Sequence, residues 1–343
     1  MKPQNFSLLL VLLLVFSFQV QAEKTIKRVY KSFPVSQVSK LELSNKYGNI
    51  QIDDNRKDSV IINVEIWVDG SGSRAQKLLD NINVEINSSG GNVSAATDFR
   101  NSFNNINQEF GIDYHVSVPA DKDLTVAQKY GNVTMNNLTG RGNFDIKYGE
   151  FRAQNLLSPA LALDIAYSKA NIETTKDFNV TIKYSKLSLN KGENLNIDSK
   201  YSGLNMGDFR EVVLDSKYDD IKFKTINDLK VNSMYTGYKI DKILSNLVLT
   251  NGYGEFHVST IPASFKSIKV SSRYAGIRLG IESGASYKLD GSVRYCELKH
   301  PAGRMNRSKE DNSYEVHGNV GDSDSPKSTV SVESSYGNVN LMP

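Results

Sequence analysis

Hydrophobic and polar residues alternate along most of this chain of 343 residues. In the stretch before Tyr201, the residues Leu195, Ile197 and Ser199 are separated by single polar residues. After Tyr201 and a two-residue bend, the alternation resumes with Leu204. A period of two residues is typical of a β-strand with one buried face. The stretch therefore predicts a strand, a corner and a second strand.

The same corner recurs along the chain. Each copy is a tyrosine followed three residues later by a residue that can be buried, as in YGNI at Tyr47 and YSGL at Tyr201. Between Tyr130 and Tyr295 the copies are 17 to 21 residues apart. Twelve of the seventeen tyrosines share this position: Tyr47, Tyr130, Tyr148, Tyr167, Tyr184, Tyr201, Tyr218, Tyr235, Tyr253, Tyr274, Tyr295 and Tyr336.

Repeats of this size predict a stacked architecture, because one unit is too small to bury its own apolar face. Equivalent residues of successive units should then lie above one another at the interstrand spacing of about 4.8 Å. We predict an all-β fold, a parallel β-solenoid (β-helix) of ten to twelve coils, each about 17–21 residues long. The residue after the tyrosine is small in eleven of twelve copies, as a tight corner requires, and Asp219 is the exception.

The period of two, continued through the corner, predicts that the tyrosines face inward. Their rings are then expected to stack from coil to coil along the edge of the core. An aromatic stripe of tyrosines that binds a ligand is the alternative, which the inward position disfavours. Each tyrosine hydroxyl is expected to reach water or a row of serines and asparagines two residues upstream: Asn45, Ser199, Ser216, Ser233, Asn251, Ser272 and Ser334.

Two stretches interrupt the repeat. Between Ile52 and Leu124, the segment SRAQKLLDNI has helical spacing behind Ser73, a candidate N-cap. The Gly-, Ser- and Asn-rich residues 87–108 predict a hairpin with an exposed loop. We interpret this region as a cap over the first coil, since an open solenoid end invites aggregation. The second interruption, residues 300–328, is polar and is predicted to be a loop.

The first 22 residues predict a secretory signal peptide. Lys2 precedes an apolar run from Leu8 to Phe18, and Val20 and Ala22 suit cleavage before Glu23. An N-terminal anchor that stays uncleaved is the alternative, and either one places the remaining chain outside the cytoplasm, in the periplasm or at the cell surface. We divide the rest into residues 23–123, the first coil with its capping insert, and residues 124–343, the solenoid repeats.

The net charge, the cysteine content and the histidines limit the classes of partner and cofactor. The formal net charge of +3 falls to +2 when Lys2 is removed with the signal peptide, and no nucleic-acid partner is expected. Cys296 is the one cysteine, so an internal disulfide is excluded. It occupies the small position after a repeat tyrosine, and we interpret it as a packing residue. The histidines His115, His257, His300 and His317 lack metal-ligand spacing, so neither a metal nor a cofactor is predicted.

A row of basic residues is the strongest candidate for a binding surface. These residues directly precede repeat tyrosines and face outward: Lys46, Lys129, Lys147, Lys183, Lys200, Lys217, Arg273 and Arg294. Stacked like charges cost roughly 1 kcal/mol per neighbouring pair, which an anionic glycan, lipopolysaccharide or nucleic acid would offset. Pairing with acidic residues two positions upstream is the alternative, which we favour: Asp145, Asp164, Asp198 and Asp215.

An enzyme that acts on a polysaccharide is the competing class of function, because such enzymes also use β-helices. A site of this kind needs carboxylates that converge on one face. Glu150, Asp220, Glu255 and Glu297 share one exposed repeat position, but several coils separate them. We therefore interpret them as a solvated face.

The YGNI, YGNV and YGEF phrases, the helix-bearing insert and the signal peptide carry a resemblance to a known family. From about Lys40 to the last residue, the chain resembles the "putative adhesin" family of bacterial β-solenoid proteins, relatives of the auto-transporter adhesin head domain with its GIN motif. The resemblance implies a non-enzymatic envelope protein that binds a glycan or another surface protein, or that acts as a scaffold. The chain departs from it in having no cysteine to carry a lipid near the mature start.

Overall fold

The computed structural model of the protein describes residues 24–55, 58–100 and 108–343. The predicted signal peptide lies outside these residues. The fold is a parallel β-solenoid, as predicted, with about nine turns. The expected ten to twelve coils were too many, because the chain leaves the coils of Tyr47 and Tyr295 for cap strands before completing a turn.

The N-terminal part contains seven strands and the short helices. They are β1 (Lys24–Pro34), a 3₁₀ turn (Val35–Gln37), β2 (Lys40–Lys46), β3 (Ile50–Asp53), β4 (Ser59–Asp69), α1 (Ser73–Asn81), β5 (Ile82–Ser89), β6 (Asn92–Phe99) and β7 (Phe110–Ser117).

The remaining strands build the coils and the C-terminal end. They are β8 (Asp123–Lys129), β9 (Val133–Leu138), β10 (Gly142–Lys147), β11 (Glu150–Leu156), β12 (Leu161–Ala166), β13 (Lys169–Thr175), β14 (Asp177–Lys183), β15 (Lys186–Lys200), β16 (Gly203–Lys217), β17 (Asp220–Met234), β18 (Gly237–Ile261), β19 (Ser267–Ile281), β20 (Tyr287–Arg294), β21 (Leu298–Lys299), β22 (Gly303–Glu310), β23 (Ser313–Val320), β24 (Ser328–Ser335) and β25 (Val339–Asn340).

Each coil contributes to two facing parallel sheets. The first sheet contains the segments that end at a repeat tyrosine, such as β10, β12 and β14, and the second contains the segments that follow one, such as β9, β11 and β13. Each of β15, β16 and β17 is one long strand that bends from the second sheet into the first. The bend opposite the tyrosines is tight at Gly192, where an added Cβ would lie 2.7 Å from the Phe209 ring.

The core lies between the two sheets and follows the predicted alternation. In one coil, Leu187 and Leu189 of the second sheet are buried, as are Leu195 and Ile197 of the first. Full burial of an aliphatic side chain of this size stabilises a fold by about 1.5–3 kcal/mol. In the described residues, each coil buries about one set of apolar side chains like this between the sheets. This apolar burial holds the coils together without a disulfide.

The N-terminal cap covers the first coil with antiparallel strands. β1 pairs with β4, and β4 pairs with β7, which continues the second sheet beside β3. The β5–β6 hairpin extends the first sheet beside β2. Helix α1 buries Ala75, Leu78 and Leu79 against this cap. Gly72 is its N-cap rather than the expected Ser73, and Ile82 already begins β5.

The predicted loops are more ordered than expected. Within residues 87–108, the hairpin turns at Gly90 and Gly91 and continues as a strand to Phe99; the expected exposed loop falls partly on residues 101–107, outside the described part. Residues 300–328 contain the hairpin of β22 and β23. β23 pairs antiparallel with β20 and so covers the last edge of the first sheet.

The coils near the C-terminal end do not stack in sequence order. β24 lies between β19 and β20 and pairs in parallel with both. β25 likewise lies between β19 and β21 in the second sheet. The chain therefore skips one level after β19, builds the next level and the hairpin, and then returns to fill the gap.

Candidate functional site: the tyrosine corner and its basic row

The twelve repeat tyrosines form one continuous ladder along the solenoid. Neighbouring rings stack with centroids 4.8–5.1 Å apart and planes within 18° of parallel. This confirms the predicted stacking of Tyr184, Tyr201, Tyr218 and Tyr235 on successive coils. Because β24 fills the skipped level, Tyr336 lies between Tyr274 and Tyr295. Eleven steps make the ladder about 55 Å long.

The ladder lies outside the core, so the predicted inward position of the tyrosines is wrong. The twelve side chains are 39–53 % exposed. Every one of these tyrosines has φ between 50° and 61°, in the left-handed region. That conformation reverses the chain within one residue and turns the tyrosine Cβ outward, while the strands on both sides keep their apolar faces inward.

The left-handed conformation of the repeat tyrosines is unfavourable in free energy, and the stacking of their rings offsets this cost. A non-glycine residue in this conformation costs roughly 1–2 kcal/mol. A stacked aromatic pair contributes about 0.5–1.5 kcal/mol beyond its buried area, and a ladder supplies nearly one pair per ring. The two magnitudes are similar, so each corner is stable as a member of the stack rather than by itself.

A hydrogen-bonded column behind the rings closes the corners from inside. The backbone N–H after a tyrosine donates to the side chain at the same position of the next coil: Gly149 to Ser168 Oγ at 3.0 Å, Ser168 to Ser185 Oγ at 3.0 Å, Ser185 to Ser202 Oγ at 3.3 Å, Ser202 to Asp219 Oδ1 at 2.7 Å and Asp219 to Thr236 Oγ1 at 3.4 Å. Asp219 is the one residue after a repeat tyrosine that is not small. Its carboxylate accepts the hydrogen bond that a serine hydroxyl accepts in neighbouring coils. Burial raises the pKa of its carboxyl group.

The Ser and Asn row that was expected to meet the tyrosine hydroxyls lies inside the coil. Its members bond to one another or to the corner: Ser233 Oγ donates to Asn251 Oδ1 at 2.8 Å, and Ser272 and Ser334 lie 3.2 Å apart. Cys296 is partly buried among these corner residues, with its sulfur 3.8 Å from the Ser334 carbonyl oxygen.

The predicted basic residues flank the ladder on its first-sheet side. None of them is buried. In stacking order they form two runs of three, Lys46, Lys129 and Lys147, then Lys183, Lys200 and Lys217, with Arg273 and Arg294 further along. Ala166 separates the two runs, and Met234 and Gly252 separate the second run from Arg273.

Acidic residues pair with only part of this row. Lys147 Nζ lies 2.9 Å from Asp145, which raises the pKa of the lysine, and Lys200 Nζ lies 3.9 Å from Asp198. Lys183 and Lys217 form no ion pair within the described residues. Other members contact the ladder: Lys129 Nζ lies 5.0 Å from the Tyr130 ring centroid, and the Arg273 guanidinium lies 5.2 Å from that of Tyr274. Both distances suit a cation–π contact.

A notch interrupts the row at Met234 and Gly252. It has a volume of about 760 Å³, and Tyr253, Arg273, Arg294 and Glu333 are among the residues that line it. The notch was not predicted, although Met234 and Gly252, two of the four positions in the row that are not basic, fall at adjacent repeats.

The tyrosine ladder gives a first test of these energies. Tyr201→Ala removes two stacking contacts and should lower the free energy of unfolding by about 1–3 kcal/mol, less than truncation of a fully buried aromatic residue. Tyr201→Gly removes the same contacts but relieves the left-handed conformation, so it should be less harmful than alanine by about 1 kcal/mol. Urea titration of both variants measures this. A larger loss of stability in Tyr201→Gly than in Tyr201→Ala, which is the usual order within a strand, would contradict this expectation.

The four candidate catalytic carboxylates do not converge. Asp220 and Glu255 are the nearest pair, with the level of Gly237 between them, and the levels of Gly276 and Asn338 lie between Glu255 and Glu297. Two interstrand steps separate the first pair by about 10 Å and three separate the second by about 14 Å, against about 5–9.5 Å between paired glycosidase carboxylates. Glu150 instead pairs with Arg152 and Lys169. Within the described residues, no three His, Cys, Asp or Glu side chains are grouped to hold a metal ion.

The two facing parallel sheets and the tyrosine corner define a class of solenoid by structure, not by activity. Residues 38–342 match the family described as Toastrack DUF4097, and the chain belongs to this family. A search of curated proteins returned no significant match.

Three solved structures are similar over most of the chain. A "putative cell adhesion protein" from Clostridium sporogenes ATCC 15579 is 12% identical, with 93% of this chain and 99% of the other covered and a TM-score of 0.21. From Parabacteroides distasonis ATCC 8503, a "putative lipid binding protein" is 9% identical, with 92% and 97% covered and a TM-score of 0.33. A "putative adhesin" from the same organism is 12% identical, with 74% and 93% covered and a TM-score of 0.29. Likeness at this level transfers no function to this chain.

Proposed function

We propose that the protein is an exported, non-enzymatic binding protein of the bacterial envelope and that its tyrosine corner binds an extended anionic glycan. The adhesin role and the link to the auto-transporter head domain are predictions within this proposal. The single observation that supports it best is that half-exposed aromatic rings extend for about 55 Å beside a row of cations, none of them buried, at eight of the twelve levels.

The chemistry of this strip suits a polymer rather than a small molecule. The ring faces are occupied by the neighbouring rings, so a ligand meets ring edges, phenol hydroxyls and ammonium groups that repeat at about 5 Å. Such a surface offers many weak and similar contacts in a line. A chain molecule with regularly spaced anions can make them together, and their combined effect raises its affinity.

Within the described residues, no helix is long and apolar enough to span a membrane. Helix α1, of nine residues, is the only α-helix in the described part of the chain, and it is far too short and polar to cross a bilayer.

The proposal is tested with purified residues 23–343 and long-chain polygalacturonate at low salt. Replacing Lys183, Lys200 and Lys217 together by glutamine should weaken binding about tenfold and flatten its salt dependence. The melting temperature should change little, because only Lys200 of the three has an ion-pair partner in the described structure, and exposed pairs contribute about 0–1 kcal/mol.

A matched control has the same change in net charge away from the corner. Lys176, Lys191 and Lys230 are exposed and lie elsewhere on the surface, so their replacement by glutamine should leave binding unchanged. If the wild-type chain binds no anionic polymer at low salt, the proposal fails. If both triple variants lose binding equally, the interaction reflects net charge and not the corner.

A further inference from the structure

A second surface, on the outer face of the second sheet, carries a groove that the tyrosine corner does not explain. The groove has a volume of about 710 Å³. Lys239, His257, Arg278, Asn340 and Lys299 line it, each four residues after a repeat tyrosine. Arg278 is in register with His257 and Asn340, and Asn340 with Lys299. These five side chains therefore form one column along the coil axis, about 20 Å long.

The basic character of this column is confined to the C-terminal half of the solenoid. Lys222 extends it by one level beyond Lys239. In the coils before Lys222 the same position is occupied by uncharged residues, except for Arg152, which pairs with Glu150: Gln51, Thr134, Asn171, Ser188 and Asn205. Folding alone does not require cations at this position, since the earlier coils form without them.

The cations of the groove are largely uncompensated. Lys299 Nζ lies 3.7 Å from Glu297, but Lys222, Lys239 and Arg278 form no ion pair within the described residues. Lys222 and Lys239 are at the interstrand spacing, where like charges repel by roughly 1 kcal/mol in water, and Arg278 lies two levels from Lys239 and from Lys299, where the repulsion is roughly half as large. A bound anion would remove this cost.

Two glycines make room for a ligand beside the column. Gly237 and Gly276 lie two residues after Tyr235 and Tyr274, on either side of Glu255. An added Cβ at either position would have no neighbour within 4 Å, and neither residue has a positive φ. Glycine within a strand costs about 0.5–1 kcal/mol relative to alanine. Packing does not require glycine here, and the absence of side chains at these two positions leaves space beside Glu255; close approach of a ligand is one of the reasons for glycine within a strand.

From the unpaired cations and the open floor, we propose that this groove binds an acidic oligosaccharide through carboxylate or sulfate groups. The cations face the anions of the ligand. Glu255 and Asn338 also line the groove, and a carboxylate and an amide are partners for sugar hydroxyls. Polyphosphate has anions but no hydroxyl donors for Glu255, so the groove favours a sugar. The site does not depend on the tyrosine corner, which lies on another part of the surface.

Binding of an oligogalacturonide to residues 23–343 by calorimetry tests this site, with neutral dextran and polyphosphate for comparison. Lys239→Gln with Arg278→Gln should weaken oligogalacturonide binding about tenfold or more. Lys230→Gln with Lys269→Gln is the matched control, since both lysines are exposed on the outer face of the first sheet. It should leave the affinity unchanged.

A steric variant separates shape from charge. Gly237→Thr with Gly276→Thr should fill the groove, weaken binding to a similar degree and leave the melting temperature equal or higher. Gly203→Thr is its control, because Gly203 has the same repeat position outside the groove, and an added Cβ would lie 3.9 Å from the nearest atom, Lys186 Cγ. Unchanged affinity in both groove variants, equal losses in the controls, or equally tight binding of polyphosphate would each overturn the proposal.

Discussion

A chain that ends after Pro326 should lose the ordered structure of the last solenoid level. The deletion removes β24 and β25, which are the parallel neighbours of β20 and β21 and connect them to β19. It also removes Val330, Val332, Val339 and Leu341 from the core. Burial of four aliphatic side chains contributes about 6 kcal/mol or more, which is comparable to the total stability of many domains.

Hydrogen exchange measured by mass spectrometry checks this result. Amides of β20 and of the β22–β23 hairpin should lose their protection, whereas amides of β10 to β16 should keep theirs. Deleting only residues 342–343 is the control, because Met342 is exposed and Leu341 stays in place. Full protection of β20 in the longer deletion would show that the hairpin holds the last level without β24.

Gly131→Ala should be among the most damaging single substitutions. An added Cβ would lie 1.6 Å from the carbonyl oxygen of Gly48 on the neighbouring coil, and this oxygen belongs to the backbone. Because neither coil can move without disturbing the ladder above it, the expected loss in the free energy of unfolding is about 3 kcal/mol or more.

Gly203→Ala provides the contrast in the same urea titration. Gly203 lies in an open part of the surface, so alanine should leave stability unchanged or raise it by about 0.5–1 kcal/mol. Similar losses in the two variants would mean that the close approach at Gly131 is not what limits the corner.

Much of the solenoid could be predicted from the sequence because its repeat is local and frequent. The spacing of the tyrosines and the alternation at residues such as Leu195 and Ile197 define the strands, the corner and the stacking together. The position of the tyrosine itself was wrong for a reason visible in the sequence. From Ser199 to Leu204, both buried, the count is an odd five residues, so the alternation changes phase at the corner. Continuing it unbroken through Tyr201 was therefore not justified.

The order of the last coils could not be predicted in the same way. All copies of the tyrosine phrase are equivalent, so the phrase at Tyr336 fits beside any open edge. Which edge it joins depends on pairing between β24 and two strands that are distant in sequence, and on the hairpin that covers the outer side of β20. The groove on the second sheet was missed for another reason: its column combines residues from coils that are consecutive in space but not in sequence.

The inverted order of the coils has a consequence for how the protein is made. A chain synthesised from its N-terminus can add one coil to the next as each emerges, up to β19. It must then hold β20 apart, with two unpaired strand edges facing each other, until β24 arrives. Open edges of this kind recruit other strands, so the interval before residues 328–335 are available is the period in which a nascent chain is most exposed to mispairing with a second chain.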